Sequence, residues 1–250
     1  MAGGTWMSQN KVQPGVYINT KSSGNLSASI GEKGVVAIAE PLSWGPCEKM
    51  QTIIPGEDLT PYIGYDVTNE KAMFLREMMK GSDTTPGPIK ILLYRPKGTG
   101  GAKATGTIGA LTVTALYEGI RGNDITMIVQ EDPDAESTYV VSTVVDGRTV
   151  DEQTVTELSG LTANAWVTFS GTGSTFTETA GTALTGGKDP TIAKVDHSEF
   201  LTVLERHPFD TVIYDGDDPI VIQAYASFVK RISERVGRKC QAVMAGSRGQ

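Results

Sequence analysis

One cluster of acidic residues could bind a metal ion. Asp215, Asp217 and Asp218 lie in a short stretch that follows an apolar run and precedes a helical pattern. Ligands of open α/β sheets bind beyond the carboxyl ends of the strands, and clustered carboxylates there suit Mg²⁺. The same residues also fit a tight turn at Gly216 followed by a helix cap, with Asp218 directly before Pro219. We favour the turn and cap, and keep a Mg-dependent enzyme that uses this turn as an alternative.

The remaining reactive side chains indicate no catalytic set. His197 lies beside Asp196 and near Glu199, but acidic residues in the first turn of a helix are favoured by its dipole alone. Cys47 and Cys240 have no CxxC partner and are expected to be buried apolar residues. The chain has no GxxxxGK[ST], GxSxG or HExxH sequence. We therefore predict that the protein is not an enzyme and uses no cofactor and no metal.

Composition narrows the class of protein further. The chain has 250 residues, a formal net charge of -7 and 39% hydrophobic residues, which is enough for a hydrophobic core. No apolar run reaches the roughly 18 residues that span a bilayer. The acidic balance argues against nucleic-acid binding as the main function, and two cysteines favour a reducing compartment. No signal peptide is expected, because the first residues contain no apolar segment.

The negative charge is concentrated in one block. Residues 101–187 carry three basic and eleven acidic side chains, a net charge of -8, and are rich in Thr, Val and Gly. The pair Asp146-Gly147 between two β-rich runs predicts a hairpin with a type I′ turn. We expect residues 99–187 to form an all-β domain with glycine-rich, flexible hinges that projects from the rest of the chain.

The flanking regions alternate between strand and helix patterns. The predicted elements, in order, are strands near 35–39, 89–94, 211–214 and 241–244, separated by helices near 69–80, 196–207 and 218–236. This order predicts an α/β fold, with helices packed on a mostly parallel sheet and the all-β domain inserted into one connection. The chain thus divides into an extended amino-terminal arm (1–30), a first α/β part (31–98), the insert (99–187) and a second α/β part (188–250).

The two ends of the chain are unusual for such a fold. Residues 1–30 contain one short apolar run, at Val16, Tyr17 and Ile18, and such an arm is poorly anchored unless it pairs with another strand. The chain stops directly after the last predicted strand. We expect the natural protein to continue.

Five short segments follow one another along the chain in a characteristic order. They are NKV with PGVYI (10–18), GVVA (34–37), PLSWGP (41–46), ALYEGIRGNDI (115–125) and LTGGKD (184–189). Together they resemble contractile phage tail sheath proteins of myoviruses and defective prophages. The fourth resembles the Tyr-x-Gly-x-x-Gly-Asn-Asp signature of that family, and the fifth resembles the loop that returns from its inserted domain.

The resemblance implies a structural subunit that polymerises helically around an inner tail tube and contracts to drive the tube through the bacterial envelope. The implied partners are further copies of the chain, the inner tail tube protein, and the baseplate and tail terminator proteins, without nucleic acid or membrane anchoring. The implied location is the virion tail, assembled in the cytoplasm of the host bacterium. Sheath proteins of this type are longer, so the chain looks like one without its carboxy-terminal half.

The arms of such sheaths add strands to the sheets of neighbouring subunits. We accordingly assign Val12, Val16, Tyr17 and Ile18 to a strand-donating interface; the alternative is an edge strand within the same chain. Two other functions stay open beside a phage sheath: the sheath of a phage-derived bacteriocin or related injection machine, and a β-rich surface-binding module built on residues 101–187.

Overall fold

The computed structural model describes residues 34–81, 83–84 and 86–245. Its α-helices are α1 (Thr60–Ile63), α2 (Met73–Met79), α3 (Lys194–Leu204) and α4 (Pro219–Arg231). Its strands are β1 (Val35–Ala39), β2 (Met50–Ile53), β3 (Lys90–Tyr94), β4 (Lys103–Ile108), β5 (Leu111–Glu118), β6 (Ile125–Glu131), β7 (Tyr139–Val145), β8 (Arg148–Val155), β9 (Val167–Ser170), β10 (Thr179–Ala183), β11 (Thr211–Tyr214) and β12 (Gln241–Met244). None of these described helices is long and apolar enough to cross a membrane.

One five-stranded sheet forms the α/β body of the protein, in the order β12-β11-β1-β3-β2. The first three pairings are parallel, and β2 pairs antiparallel with β3. Helices α3 and α4 cover one face, where Phe200, Tyr225 and Phe228 are buried. Helices α1 and α2 cover the other face beside β1, β3 and β2, where Leu59 and Leu75 are buried.

The insert, defined here as residues 99–189, contains two further sheets. Their strand orders are β10-β6-β7-β8 and β4-β5-β9, and all their pairings are antiparallel. Over the described residues, six of nine strand pairings are therefore antiparallel. The fold is mixed α/β with several sheets and few helices, and the predicted mostly parallel arrangement describes only part of the body sheet.

Local signals explain the elements that were easiest to predict. The Asp218 carboxylate accepts hydrogen bonds from the backbone N–H groups of Ile220 (2.8 Å) and Val221 (3.4 Å), so it caps α4. The hairpin between β7 and β8 turns at Asp146 (φ 51°) and Gly147 (φ 73°), the positive φ values that a type I′ turn requires.

Other boundaries differ from the sequence prediction. The helix predicted from residue 69 begins as a 3-10 turn (Glu70–Ala72) before α2 starts. Helix α3 begins two residues before the predicted cap Asp196, whose carboxylate instead accepts from the Ala193 N–H at 2.6 Å from inside the first turn. Strand β2 was missed because four residues with polar Gln51 and Thr52 at the centre carry no apolar alternation.

The predicted flexible hinges are wrong in one respect, because the two ends of the insert are paired with each other. Thr99 exchanges backbone hydrogen bonds with Thr191 (3.0 and 2.8 Å), and Ala102 exchanges them with Lys188 (3.0 Å each). The glycine-rich composition predicted loose loops, but these non-local backbone bonds hold the two connections side by side.

Candidate functional site

The four residues predicted to donate a strand, Val12, Val16, Tyr17 and Ile18, lie outside the described residues. What the structure does describe is the sheet that such a strand could extend. Among the described residues, β2 and β12 are the edge strands of the body sheet, each with a neighbour on one side. On β12, Val243 is 51% exposed. An edge strand presents unpaired N–H and C=O groups that another strand can pair with.

A buried arginine joins the body to the insert. Arg95 follows β3 and has no exposed surface. Its guanidinium donates to the carbonyl oxygens of Leu42 (2.8 Å) and Gly45 (2.5 Å) in the body and of Glu118 (2.8 Å) at the end of β5. A guanidinium presents donors in a fixed planar fork, so one side chain can hold three carbonyls in place.

A second buried arginine makes a matching connection from the insert side. Arg121 is 3% exposed and donates from Nε to the carbonyl oxygen of Gly64 in the body at 2.9 Å. Its terminal nitrogens bind the Asp146 carboxylate at 2.8 and 2.6 Å, and Asp124 at 2.9 Å. The ring of Tyr65 lies over the guanidinium carbon, 4.2 Å from it. Hydrogen bonding to Arg121 lowers the pKa of the Asp146 carboxyl.

The signature segment around Arg121 completes the junction. Asn123 accepts from the Gly187 N–H (2.8 Å) and donates to the Gly187 carbonyl (3.0 Å), so its side chain pairs with the Gly187 backbone as a neighbouring strand would. Asp189 accepts from the Ile120 N–H and from the Ser43 hydroxyl, each at 2.9 Å. Residue type and spacing alone assigned no junction role to Asn123 or Arg121, although both lie in the segment 115–125. The signal available was that Arg121 is one of three basic residues in a strongly acidic block.

The alternative metal site at Asp215–Asp218 gains no support. Over the residues that the structure describes, no group of three or more His, Cys, Asp or Glu side chains could hold a metal ion. Asp218 is occupied as the α4 cap and as an ion-pair partner of Lys194 at 2.9 Å. His197 lies 3.3 Å from the Tyr225 hydroxyl, and burial lowers the pKa of its imidazole.

Comparisons with known proteins place these elements in one family. Residues 99–189 match the phage tail sheath protein beta-sandwich domain, and residues 33–86 match the N-terminal region of domain III of the tail sheath protein Gp18. The arginine junction therefore connects two segments that are both recognised as sheath protein domains.

Relatives and solved structures agree with these matches. The whole chain is 33% identical to the Bacillus subtilis protein YqbK and 31% identical to the phage-like element PBSX protein XkdK of the same organism, and it spans 56% of each. The crystal structure of a sheath tail protein from Desulfitobacterium hafniense is 40% identical, with a TM-score of 0.80, over 91% of this chain and 52% of that one. A sheath tail protein from Listeria innocua is 32% identical, with a TM-score of 0.72, over 85% and 47%.

The chain thus spans about half the length of the relatives that it matches. Along the chain, the match to domain III (33–86) precedes the match to the beta-sandwich domain (99–189). This family consists of structural tail components, and the chain belongs to the phage tail sheath proteins.

Proposed function

We propose that the protein contributes to a contractile tail sheath that polymerises helically around an inner tail tube and contracts to drive that tube through the bacterial envelope. The observation that most supports this function is the pair of sheath domain matches, at 33–86 and 99–189, joined by a buried junction. The proposed partners are other copies of the chain, the tube protein, and the baseplate and tail terminator proteins. The proposed location is the virion tail, after assembly in the host cytoplasm.

The arm is proposed to link neighbouring subunits. Val12, Val16, Tyr17 and Ile18 would add a strand to a sheet edge of another copy, and β2 and β12 are the edges that the body offers among the described residues. Each added backbone hydrogen bond contributes about 1 kcal/mol net, so repetition over a lattice gives strong cohesion from weak links. Head-to-tail contacts that do not close a ring produce a helical assembly.

Contraction is proposed to be a rigid-body rearrangement of subunits, with extended arms accommodating the change. The junction at Arg95 and Arg121 supports this picture, because an insert tied to the body by buried guanidinium contacts moves with it.

We also propose the four-part division of the chain at 1–30, 31–98, 99–187 and 188–250. The relationship to a protein of a phage-like element makes a sheath from a defective particle or bacteriocin the second candidate.

Negative-stain electron microscopy of the complete gene product, with purified inner tail tube, tests the proposal. Striated sheaths around the tube are expected. Val16→Pro, which removes a backbone donor from the arm, is expected to abolish them without changing the melting temperature, and Ser27→Pro in the same arm serves as the matched control. Discrete particles from the unmodified protein in the presence of the tube would overturn the proposed sheath function. Unimpaired assembly of Val16→Pro would remove the arm from the interface.

A further inference from the structure

Two carboxyl groups lie at the point where the strand order of the body sheet reverses, on either side of β1. From β1 the chain passes to β3 on one side of the sheet and later returns to β11 on the other side. Strands β1 and β11 are parallel, with Ile38 opposite Ile213. Glu40 and Asp215 directly follow these strands, two residues beyond Ile38 and Ile213 in the chain. The two carboxyl side chains therefore lie at the carboxyl ends of two central strands that pair with each other.

The environments of the two carboxyl groups differ. Asp215 is exposed, so its charge is solvated, while Glu40 is half-buried. The Glu40 Oε2 atom is buried and has no hydrogen-bond partner among the described residues. Burial, followed by the charge of Asp215, raises the pKa of Glu40 to about 8.

Two cations on the surrounding elements, Arg95 and Lys194, are bound to other groups. The Arg95 guanidinium, after the neighbouring strand β3, is engaged with backbone carbonyls, and Lys194 pairs with Asp218. The other titratable groups that interact with Asp215 are Tyr214 of β11, His197 of α3 and Tyr225 of α4, and Tyr225 also interacts with Glu40. Burial lowers the pKa of His197, so its imidazole is neutral at pH 7, and both tyrosines are neutral there as well.

We propose that Glu40 is protonated at neutral pH and donates a hydrogen bond to the Asp215 carboxylate. This hydrogen bond would be a pH-sensitive link between the ends of β1 and β11. Loss of the proton would place two negative charges side by side at the ends of adjacent strands. This inference concerns the body sheet and does not depend on the proposed sheath function.

The sign of the pH dependence follows from linkage between folding and proton binding. The pKa of Glu40 is about 8 in the folded protein, against an ordinary value of 4.5. The folded state thus binds the proton more tightly than the unfolded state, so the stabilisation is complete below about pH 4.5 and is lost as the pH rises through about 8. The melting temperature is expected to fall across this range.

Thermal unfolding of the full chain as a function of pH tests the proposed hydrogen bond between Glu40 and Asp215. The decline of the melting temperature between about pH 6.5 and pH 9 is expected to be at least halved in Glu40→Gln, because glutamine retains a donor for Asp215 and has no proton to lose. Asp217→Asn, which removes an exposed carboxylate from the same turn, is the matched control and is expected to keep the decline. An equal decline in Glu40→Gln and the unmodified protein would overturn the proposal.

A second measurement applies even where Glu40→Gln does not fold. In the protein labelled with ¹³C at the Glu side-chain carboxyl carbons, one resonance is expected to titrate with a midpoint near pH 8. In Asp215→Asn that midpoint is expected to fall, because the neighbouring negative charge is gone. Titration of every Glu carbon below about pH 5.5 would contradict the protonated state of Glu40 at neutral pH.

Discussion

Arg121 and Asp146 form a bidentate ion pair in which both terminal nitrogens of the arginine donate to the carboxylate, at 2.8 and 2.6 Å. Asp146 is the turn residue of the β7–β8 hairpin, and Arg121 lies in the 3-10 turn before β6. Because the Arg121 Nε also donates to Gly64 of the body, one buried side chain positions the hairpin, the turn and the body relative to each other.

Replacing Arg121 by methionine is expected to lower the free energy of unfolding by about 2–3 kcal/mol, as for the loss of charged hydrogen bonds. This loss of stability is smaller than is usual for breaking a buried ion pair, because the Asp146 side chain is 58% exposed and is rehydrated when Arg121 is replaced. Urea denaturation measures the change, and Arg148→Met, at an exposed position of the neighbouring strand, is the control. A change below about 0.5 kcal/mol would show that the pair does not stabilise the junction.

Arg95→Met is expected to cost about 3 kcal/mol or more, because three carbonyl groups lose their donor in a buried site. Arg95→Lys should recover only part of this loss, since an ammonium group cannot reproduce the planar fork. Thermal and urea unfolding of the two variants give the comparison. Full recovery by lysine would mean that charge alone, without the fork geometry, is sufficient at this position.

Gly119 in the signature segment is expected to tolerate no side chain. Its φ is 128°, and an added Cβ would collide with the carbonyl oxygen of Ser43 in the body. Gly119→Ala should therefore destabilise the protein by about 1–3 kcal/mol, as overpacking does. Gly160→Ala is the control, because its nearest contact would be the Val155 Cγ1 at 3.4 Å. Equal stability of the two variants would refute the close approach of insert and body at Gly119.

Acid should weaken the same junction through Asp146. Arg121 lowers the pKa of this carboxyl below 3.8, so its stabilising contribution is complete above that value and is lost as the pH falls through the folded pKa. Urea midpoints measured from about pH 6 down to pH 2 should fall less steeply in Asp146→Asn than in the unmodified protein. Parallel curves would indicate that Asp146 does not contribute to the acid response.

Local chemistry explains which elements could be predicted. The cap at Asp218 before Pro219 and the turn at Asp146-Gly147 involve residues that are adjacent in the chain, so their geometry is readable from residue type. The capping of α3 was misplaced because Ala193, the residue before the helix, has no side chain that signals a cap. The sheet edge β2 was missed because its four residues carry no apolar alternation and its pairing with β3 joins residues about 40 positions apart.

The alternation of strands and helices, the acidic β-rich insert and the order of the family segments could all be read from the amino-acid sequence. Each of these depends on residue type and short spacing. The attachment of the insert to the body depends on tertiary packing, because Arg95 and Arg121 reach carbonyl groups 23 to 57 residues away. The residue type does not distinguish an arginine on the solvated surface from one in a buried junction. Its burial is set by packing between distant segments.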